Sequence, residues 1–160
     1  DVIIQGKKIS FGIDSFEDYK MWYEDYFIQL ADKLYQKKIF DYIYLICGPD
    51  KSHISQKIIE ISKKKYFIDC SQKNLTGVIT ALKKSKFFIG NNSGPLNLSA
   101  ALGLKSFGLI ANDPASELRY SKIIPITPDN YIDNIWNKKR EGMKKLTVEK
   151  VYSKILENLN

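Results

Sequence analysis

The chain has 160 residues, of which 44% are hydrophobic and 27% charged, a composition typical of one globular domain rather than of a disordered segment. It contains no stretch of about 18 apolar residues that would span a membrane, and no basic start followed by an apolar region that would predict a signal peptide. The formal net charge of +7 favours anionic partners, namely nucleic acid, an anionic membrane surface or phosphorylated small molecules.

The distribution of charge and of metal-ligating residues reduces the number of possible partners. The lysines are spread along the chain with no basic stripe and no known nucleic-acid motif, so we expect no nucleic-acid partner and favour peripheral contact with a cytoplasmic membrane face that carries anionic lipid. Cys47 and Cys70 are expected to be buried thiols of a cytoplasmic protein. Together with the single histidine, His53, they are too few for a zinc site, so we expect no metal and no cofactor.

Hydrophobic periodicity predicts strands that alternate with helices in the first half of the chain. After a first strand at residues 8–14, the run Ser15-Phe16-Glu17-Asp18 is similar to a capping box. It predicts the start of a long amphipathic helix that reaches about Lys37, with an aromatic stripe packed in the core. The next predicted elements are a strand at 42–47, a helix at 52–64 with Ile54, Ile58, Ile59 and Ile61 facing inward, a strand at 66–69, and a helix at 74–84 with Leu75, Val78, Ile79 and Leu82 on one face.

The most informative stretch is KFFIGNNSGPLNLSAALGLKSFGL, at residues 86–109. Its apolar start predicts a short strand at 87–89, stopped by the polar and glycine residues at 90–92. Ser93 is predicted to cap a buried helix whose first turn carries a proline, because the fixed φ and missing N–H of proline suit that position. Gly103 is the expected left-handed stop of this helix, and another strand follows.

A strand that ends in a polar, glycine-containing turn and opens a helix presents free backbone N–H groups at the positive end of the helix dipole. Phosphates and carboxylates bind at such ends, so residues 92–94 predict an anion site. Most such turns in α/β domains only connect two elements. The residues alone therefore leave an anion site and a plain connector equally open.

The second half of the chain predicts a last strand at 121–126, a polar stretch at 127–141 without clear periodicity, and a final helix capped by Thr147. This alternation favours a Rossmann-like α/β fold with a mainly parallel sheet and helices on both faces. Ligands of such sheets bind at the carboxyl ends of the strands. Lys20, Asp50 and residues 92–97 all follow predicted strands, so we expect them to share one crevice.

Residues 90–103, GNNSGPLNLSAALG, resemble the donor-binding motif of glycosyltransferase family 9, the ADP-heptose:lipopolysaccharide heptosyltransferases, which typically reads G-N-D-[ST]-G-P-x-H-x-A-x-A-x-G. The spacing is unbroken, but Asn92 stands where the family has an acidic residue and Asn97 where it has histidine. Both positions are expected to touch the sugar diphosphate. The resemblance implies that Asn92, Ser93, Gly94 and Asn97 bind the donor.

The tetrapeptide KMWY at residues 20–23 is similar to the family's K-x-W-P element, in which the lysine precedes the helix and binds donor phosphate. The resemblance therefore implies a helix that starts near Trp22, with Lys20 in the loop and directed at the phosphates. Asp50 is the nearest match to the acidic residue that binds the nucleotide ribose, and an Asp there is also a common turn or cap residue. Residues 110–114, IANDP, keep the proline of the family's G-P-T-x-P but lack its hydroxyl.

The resemblance implies that residues 1–160 are a single nucleotide-sugar-binding domain, the C-terminal half of a two-domain GT-B glycosyltransferase. The N-terminal acceptor domain, with the general base, would be absent from this chain, and the start at Asp1 fits a processed or excised chain. The implied reaction is transfer of heptose or a related sugar from an ADP-sugar to a lipopolysaccharide core acceptor, in the cytoplasm or at the inner membrane. The catalytic residues thus remain unknown, and we expect no turnover from the isolated chain.

Two other functions stay open. A degenerate, non-catalytic nucleotide-sugar-binding or scaffold domain would account for the asparagines at 92 and 97, because carboxylates and imidazoles are the groups that shift charge or protons in a reaction. Restoring the acidic residue and the histidine would then create or sharpen donor affinity. A sugar-nucleotide epimerase half has the same architecture, but those enzymes usually follow the Ser-Gly of the motif with a second glycine and an acidic residue, where this chain has Pro95 and Leu96.

Overall fold

A computed structural model describes residues 4–159 of the chain. In this part of the chain six strands form one sheet in the order β3-β2-β1-β4-β5-β6, and every neighbouring pair is parallel. The strands are β1 (Lys8–Gly12), β2 (Tyr42–Ile46), β3 (Phe67–Asp69), β4 (Ser85–Asn91), β5 (Ser106–Leu109) and β6 (Ile123–Ile126).

Helices supply the crossovers between successive parallel strands from β1 to β5, and the connection from β5 to β6 carries only a short 3-10 turn. The α-helices of the described residues are α1 (Glu24–Gln36), α2 (Ser52–Ser62), α3 (Leu75–Lys83), α4 (Gly94–Ala101) and α5 (Val148–Glu157). Short 3-10 turns lie at Asp18–Lys20, Pro49–Lys51, Ala115–Glu117 and Arg140–Lys145. Within residues 4–159, none of these helices is long and apolar enough to cross a membrane.

The strand order divides the sheet into two halves. The chain runs outward from β1 through β2 to β3, crosses back to place β4 on the other side of β1, and continues outward to β5 and β6. The order therefore reverses between β1 and β4, which is the switch point where open α/β sheets bind ligands. The prediction of a Rossmann-like α/β fold is confirmed.

Helices cover both faces of the sheet, as the alternating side chains of β4 show. Phe87 and Ile89 pack in the larger core with Phe27 of α1, Ile58 of α2 and Val151 of α5. Phe88, which points to the opposite face, packs with Leu82 of α3 and Leu96 of α4. Both cysteines are buried free thiols, as expected.

Two paired glycines allow β1 and β4 to approach at the centre of the sheet. Gly12 lies opposite Gly90 in the strand register. A Cβ atom at Gly90 would stand 2.7 Å from the Phe88 ring and 2.8 Å from the Gly12 Cα atom, closer than packed carbon atoms come. The glycine at 90, expected to stop β4, therefore lies inside it, and the strand continues to Asn91.

The capping-box prediction for residues 15–18 is wrong. Phe16 is 98% exposed, and α1 begins only at Glu24, after a separate 3-10 turn that ends at Lys20. The family resemblance had implied this later start. Two side chains expected to face inward are also largely exposed, namely Ile61 at 60% and Leu75 at 67%, because α2 and α3 turn these positions away from the sheet.

The turn before α4 has the expected backbone but a different hydrogen bond. Ser93 occupies the N-cap position, yet its side chain accepts no bond from the helix, and its hydroxyl instead donates to the Asn91 carbonyl at 3.3 Å. Pro95 lies in the first turn. Gly103 follows the helix with φ of +82°, which confirms the left-handed stop.

Asn91 joins the ends of the two central strands. Its buried side-chain oxygen accepts the Trp22 backbone N–H at 2.9 Å, and its side-chain nitrogen donates to the Asp14 carbonyl at 3.3 Å. Both contacts reach the loop after β1. The Asn91 amide therefore fixes the course of the segment that carries Lys20.

We expect Asn91→Leu to lower the free energy of unfolding by about 1–3 kcal/mol, because it leaves the buried Trp22 N–H without its acceptor. Urea denaturation followed by tryptophan fluorescence measures this loss. The control is Gln29→Ala, at an exposed position of α1, which should change stability little. Equal stability of Asn91→Leu and the parent chain would contradict the assigned role of the amide.

Candidate functional site

The candidate site lies at the carboxyl edge of the sheet, where the loops after β1, β2, β4 and β5 meet. Lys51, after β2, has its ammonium 3.2 Å from the Asp18 carboxylate, after β1. Asn92, after β4, donates from its side-chain nitrogen to Asp113, after β5, at 2.5 Å. Because the charge of Lys20 also acts on Asp113, these contacts tie all four loops into one surface beside the switch point.

Lys20 is the central cation of this surface. Its Nζ atom lies 2.7 Å from the Glu17 carboxylate, and 5.8 and 5.5 Å from the ring centres of Tyr19 and Trp136. Burial lowers the pKa of Lys20, but the hydrogen bond to Glu17 and the negative charge of Asp113 more than offset burial, so the pKa is raised. The ammonium therefore stays charged, with Glu17 as its partner in this structure.

Asp113 is a buried carboxylate, 1% exposed, directly behind Asn92. Its Oδ2 atom accepts from Asn92, while its buried Oδ1 atom has no hydrogen-bond partner among the described residues. Burial raises the pKa of Asp113, and the hydrogen bond from Asn92 and the charge of Lys20 offset this only in part. Asp113 thus places a carboxylate in contact with Asn92, the residue that stands where the family motif has an acidic side chain.

The amino end of α4 is open, as an anion site requires. No side chain caps its first turn within the described part of the chain, and a Cβ atom at Gly94 would meet nothing within 4 Å. Asn97 lies one turn further on, where its side-chain nitrogen donates to the Ser93 carbonyl at 3.3 Å. The free N–H groups of this turn, at the positive end of the helix dipole, suit a phosphate or another anion.

Asp50 lies in an exposed 3-10 turn after β2, on the side of the site away from Asn92. Its charge acts on Asp14, a second carboxylate at the end of β1, whose Oδ2 atom accepts the Gly48 backbone N–H at 2.8 Å. Burial raises the pKa of Asp14, with a smaller contribution from Asp50. Asp50 is thus free to contact a ligand, whereas Asp14 shapes the turn.

The polar stretch that gave no clear pattern in the sequence wraps around the Lys20 loop. The Arg140 guanidinium donates to the backbone carbonyls of Met21 and Trp22, at 3.1 and 3.3 Å, and lies 4.6 Å from the ring centre of Tyr23. Asn112 donates from its side chain to the Tyr19 carbonyl at 2.7 Å and to the Lys139 carbonyl at 2.9 Å. This stretch therefore holds the loop in place and brings Trp136 beside Lys20.

The structure brings together Lys20, Asn92, Ser93, Gly94 and Asn97, and places Asp50 on the adjoining loop. Sequence reasoning missed Glu17, Asp113, Trp136 and Arg140. Only Asp113 carried a local signal, as an acidic residue four positions after the predicted strand that ends at residue 109 and next to the retained proline. Among residues 4–159, no group of three His, Cys, Asp or Glu side chains is placed to hold a metal ion.

The family model for glycosyltransferase family 9 (heptosyltransferase) matches residues 5–156. The match covers nearly the whole sequence, so the chain belongs to this family, and the prediction from residues 90–103 is confirmed. The sequence matches no curated protein.

Solved structures of the family share the fold. Escherichia coli heptosyltransferase WaaC with ADP has a TM-score of 0.78 at 22% identity, covering 96% of this chain and 44% of that chain. E. coli ADP-heptose lps heptosyltransferase II gives 0.79 at 15% identity, covering 95% and 46%. The family 9 glycosyl transferase of Veillonella parvula gives 0.76 at 18% identity, covering 94% and 45%. This chain therefore spans less than half the length of each of these proteins.

The raised pKa of Asp113 predicts a pH-dependent effect of Asp113→Asn. A carboxyl group that is harder to ionise in the folded protein stabilises the fold below its ordinary pKa of 3.8, and this contribution is lost as pH rises through the folded-state pKa. Relative to the parent chain, Asp113→Asn should therefore gain stability as pH rises above the ordinary pKa of 3.8, and the gain should level off once pH has passed the raised pKa of Asp113 in the folded protein. Urea denaturation at a series of pH values tests this, and a pH-independent difference would contradict it.

Proposed function

We propose that the chain is the donor-binding domain of a bacterial glycosyltransferase that transfers heptose, or a related sugar, from an ADP-sugar to a lipopolysaccharide core acceptor. The observation that carries the proposal is the meeting of the Lys20 ammonium, the open amino end of α4 and the Asn92 side chain at the switch point of the sheet. A cation and free N–H groups suit a diphosphate, and the adjacent amide suits a sugar hydroxyl.

Each part of the site has a role in this reaction. The diphosphate gains negative charge as it leaves the sugar, and Lys20 with the N–H groups of Ser93 and Gly94 would stabilise that charge. Asn92 and Asn97 would hydrogen-bond sugar or phosphate oxygens without adding charge. Asp50 would accept hydrogen bonds from the hydroxyls of the nucleotide ribose.

The named ligands of similar proteins support an ADP-sugar. WaaC has been solved with ADP and with ADP-2-deoxy-2-fluoro heptose. This chain covers less than half of WaaC, so the acceptor site and the general base would belong to another part of the enzyme. The lipopolysaccharide acceptor and the contact with an anionic membrane remain predictions, and this chain alone should bind the donor without turning it over.

The alternative is a degenerate domain that binds nucleotide-sugars or acts as a scaffold, and the asparagines at 92 and 97 are what favours it. Because Asn92 contacts Asp113, the two proposals predict opposite effects of substitutions at position 92. In an intact site, Asn92→Asp places a second carboxylate 2.5 Å from Asp113, so Asn92→Asp/Asn97→His should weaken donor binding. In a degenerate site, the same double variant should create or strengthen donor binding.

Calorimetric titration with ADP, UDP and GDP is the direct test. We expect selective binding of ADP and a loss of affinity of about tenfold or more in Lys20→Ala, because a charge-assisted contact to the diphosphate is removed. The control is Lys86→Ala, at an exposed position near the amino end of β4 and therefore at the opposite edge of the sheet. Absence of binding by the parent chain, or equal losses in the two variants, would contradict the proposed site.

The ion pair between Lys20 and Glu17 predicts a variant with higher affinity. The Glu17 carboxylate is paired with the Lys20 ammonium, which the diphosphate would also bind. The hydrogen bond from Lys20 holds the pKa of Glu17 below its usual value. Glu17→Gln removes this competing charge and should increase ADP affinity about threefold to tenfold.

Calorimetry with ADP measures the change in Glu17→Gln, and Glu60→Gln, at an exposed position of α2, controls for the change in net charge. The gain should shrink as salt is added, because it is electrostatic. A lower ADP affinity in Glu17→Gln would show that Glu17 supports the site rather than competing for it.

A further inference from the structure

Within residues 4–159, Asp113 forms no hydrogen bond or ion pair with Lys20 or α4, the groups proposed to bind the diphosphate, yet its carboxylate is buried beside them. Its carboxylate is nearly inaccessible, and one of its oxygens has no partner among the described residues. A buried carboxylate without a full set of hydrogen bonds destabilises a protein, so a carboxylate of this kind next to a ligand site indicates a role other than stabilising the fold.

The loop that carries Asp113 is held from several directions, so the carboxylate has a fixed position. The Tyr131 hydroxyl donates to the Asp113 backbone carbonyl at 2.6 Å and accepts the Ala115 backbone N–H at 2.8 Å. On the other side, the Asn112 side chain bonds two carbonyl groups, one of them that of Tyr19 in the Lys20 loop.

The fixed carboxylate determines which way the Asn92 amide faces. Asp113 accepts only from the nitrogen end of that amide, because an ionised carboxylate has no hydrogen to donate. The oxygen of Asn92 is then turned away from Asp113, at a half-buried position directly before the open end of α4. An oriented amide oxygen at this point is an acceptor for a hydroxyl group.

We propose that Asp113 is a positioning residue for the sugar part of the donor. It holds the Asn92 amide so that the amide oxygen accepts a sugar hydroxyl, and it supplies from the neighbouring strand end the negative charge that position 92 itself lacks. This inference rests on the proposed function, since it assigns the sugar of an ADP-sugar to Asn92. The diphosphate is bound separately, by Lys20 and α4, so Asp113 should affect the sugar and not the nucleotide.

The test compares ADP with ADP-heptose in calorimetric titrations of the parent chain, Asp113→Ala and Asp113→Asn. Asp113→Ala should lower the affinity for ADP-heptose about tenfold and change the affinity for ADP less than about twofold, because only the sugar contact loses its orientation. Asp113→Asn keeps an acceptor for the Asn92 nitrogen and should retain part of the preference for ADP-heptose.

Two further variants sharpen the comparison. Glu117→Ala removes an exposed carboxylate whose charge acts on Asp113, so it controls for loss of negative charge alone and should leave the preference for ADP-heptose unchanged. Asn92→Asp/Asp113→Asn exchanges the two side chains and restores one carboxylate and one amide in contact. It should bind ADP-heptose better than Asn92→Asp, in which two carboxylates repel each other.

The outcomes separate this inference from the proposed function. If Asp113→Ala leaves the ratio of the two affinities unchanged, or lowers both affinities equally, the positioning role is wrong while the donor site stands. If the parent chain binds neither ADP nor ADP-heptose, the proposed function fails and the role of Asp113 fails with it.

Discussion

The hydrogen bonds of the Asn91 side chain are the constraint on which the site depends. At the carboxyl edge of the sheet the chain leaves regular structure, and buried backbone groups there must find partners outside the strand ladder. Asn91 provides these partners for the loop after β1, because one amide serves both the Trp22 N–H and the Asp14 carbonyl. The position of Lys20, two residues before Trp22, follows from this contact.

The parts of the fold that depend on local chemistry could be predicted from the sequence. The apolar runs at β2 and β4, the proline in the first turn of α4 and the left-handed glycine at 103 each follow from the preferences of the residues themselves. The same local logic failed at Ser15-Phe16-Glu17-Asp18. The helix does not start there, because Asn91 and Arg140, from distant segments, bond the backbone of Trp22, and the residues on either side of it, Met21 and Tyr23, are extended.

Most residues of the candidate site that could not be predicted lie far along the chain from the residues they contact. Arg140 and Trp136 lie in a stretch without periodicity, and they reach Lys20 and its loop across more than a hundred residues of sequence. The pairing of Asn92 with Asp113 joins the ends of two adjacent strands, a relation that appears only when the strand order is known. The motif could therefore indicate which edge of the sheet carries the candidate site, but the charged and polar partners of its residues could not be predicted from the sequence.

The charges of the site indicate how a donor would be selected. Lys20 is paired with Glu17, so an incoming diphosphate replaces one anion with another, and the electrostatic gain is smaller than that of an unpaired lysine. Many phosphate-containing molecules would gain equally from that exchange. Discrimination between them must then come from groups with fixed directions, because a hydrogen bond distinguishes ligands by geometry as well as by charge. At the strand ends, the Asn92 amide held by the fixed Asp113 carboxylate has that property, so in the proposed donor site this pair, rather than Lys20, would determine which sugar is bound.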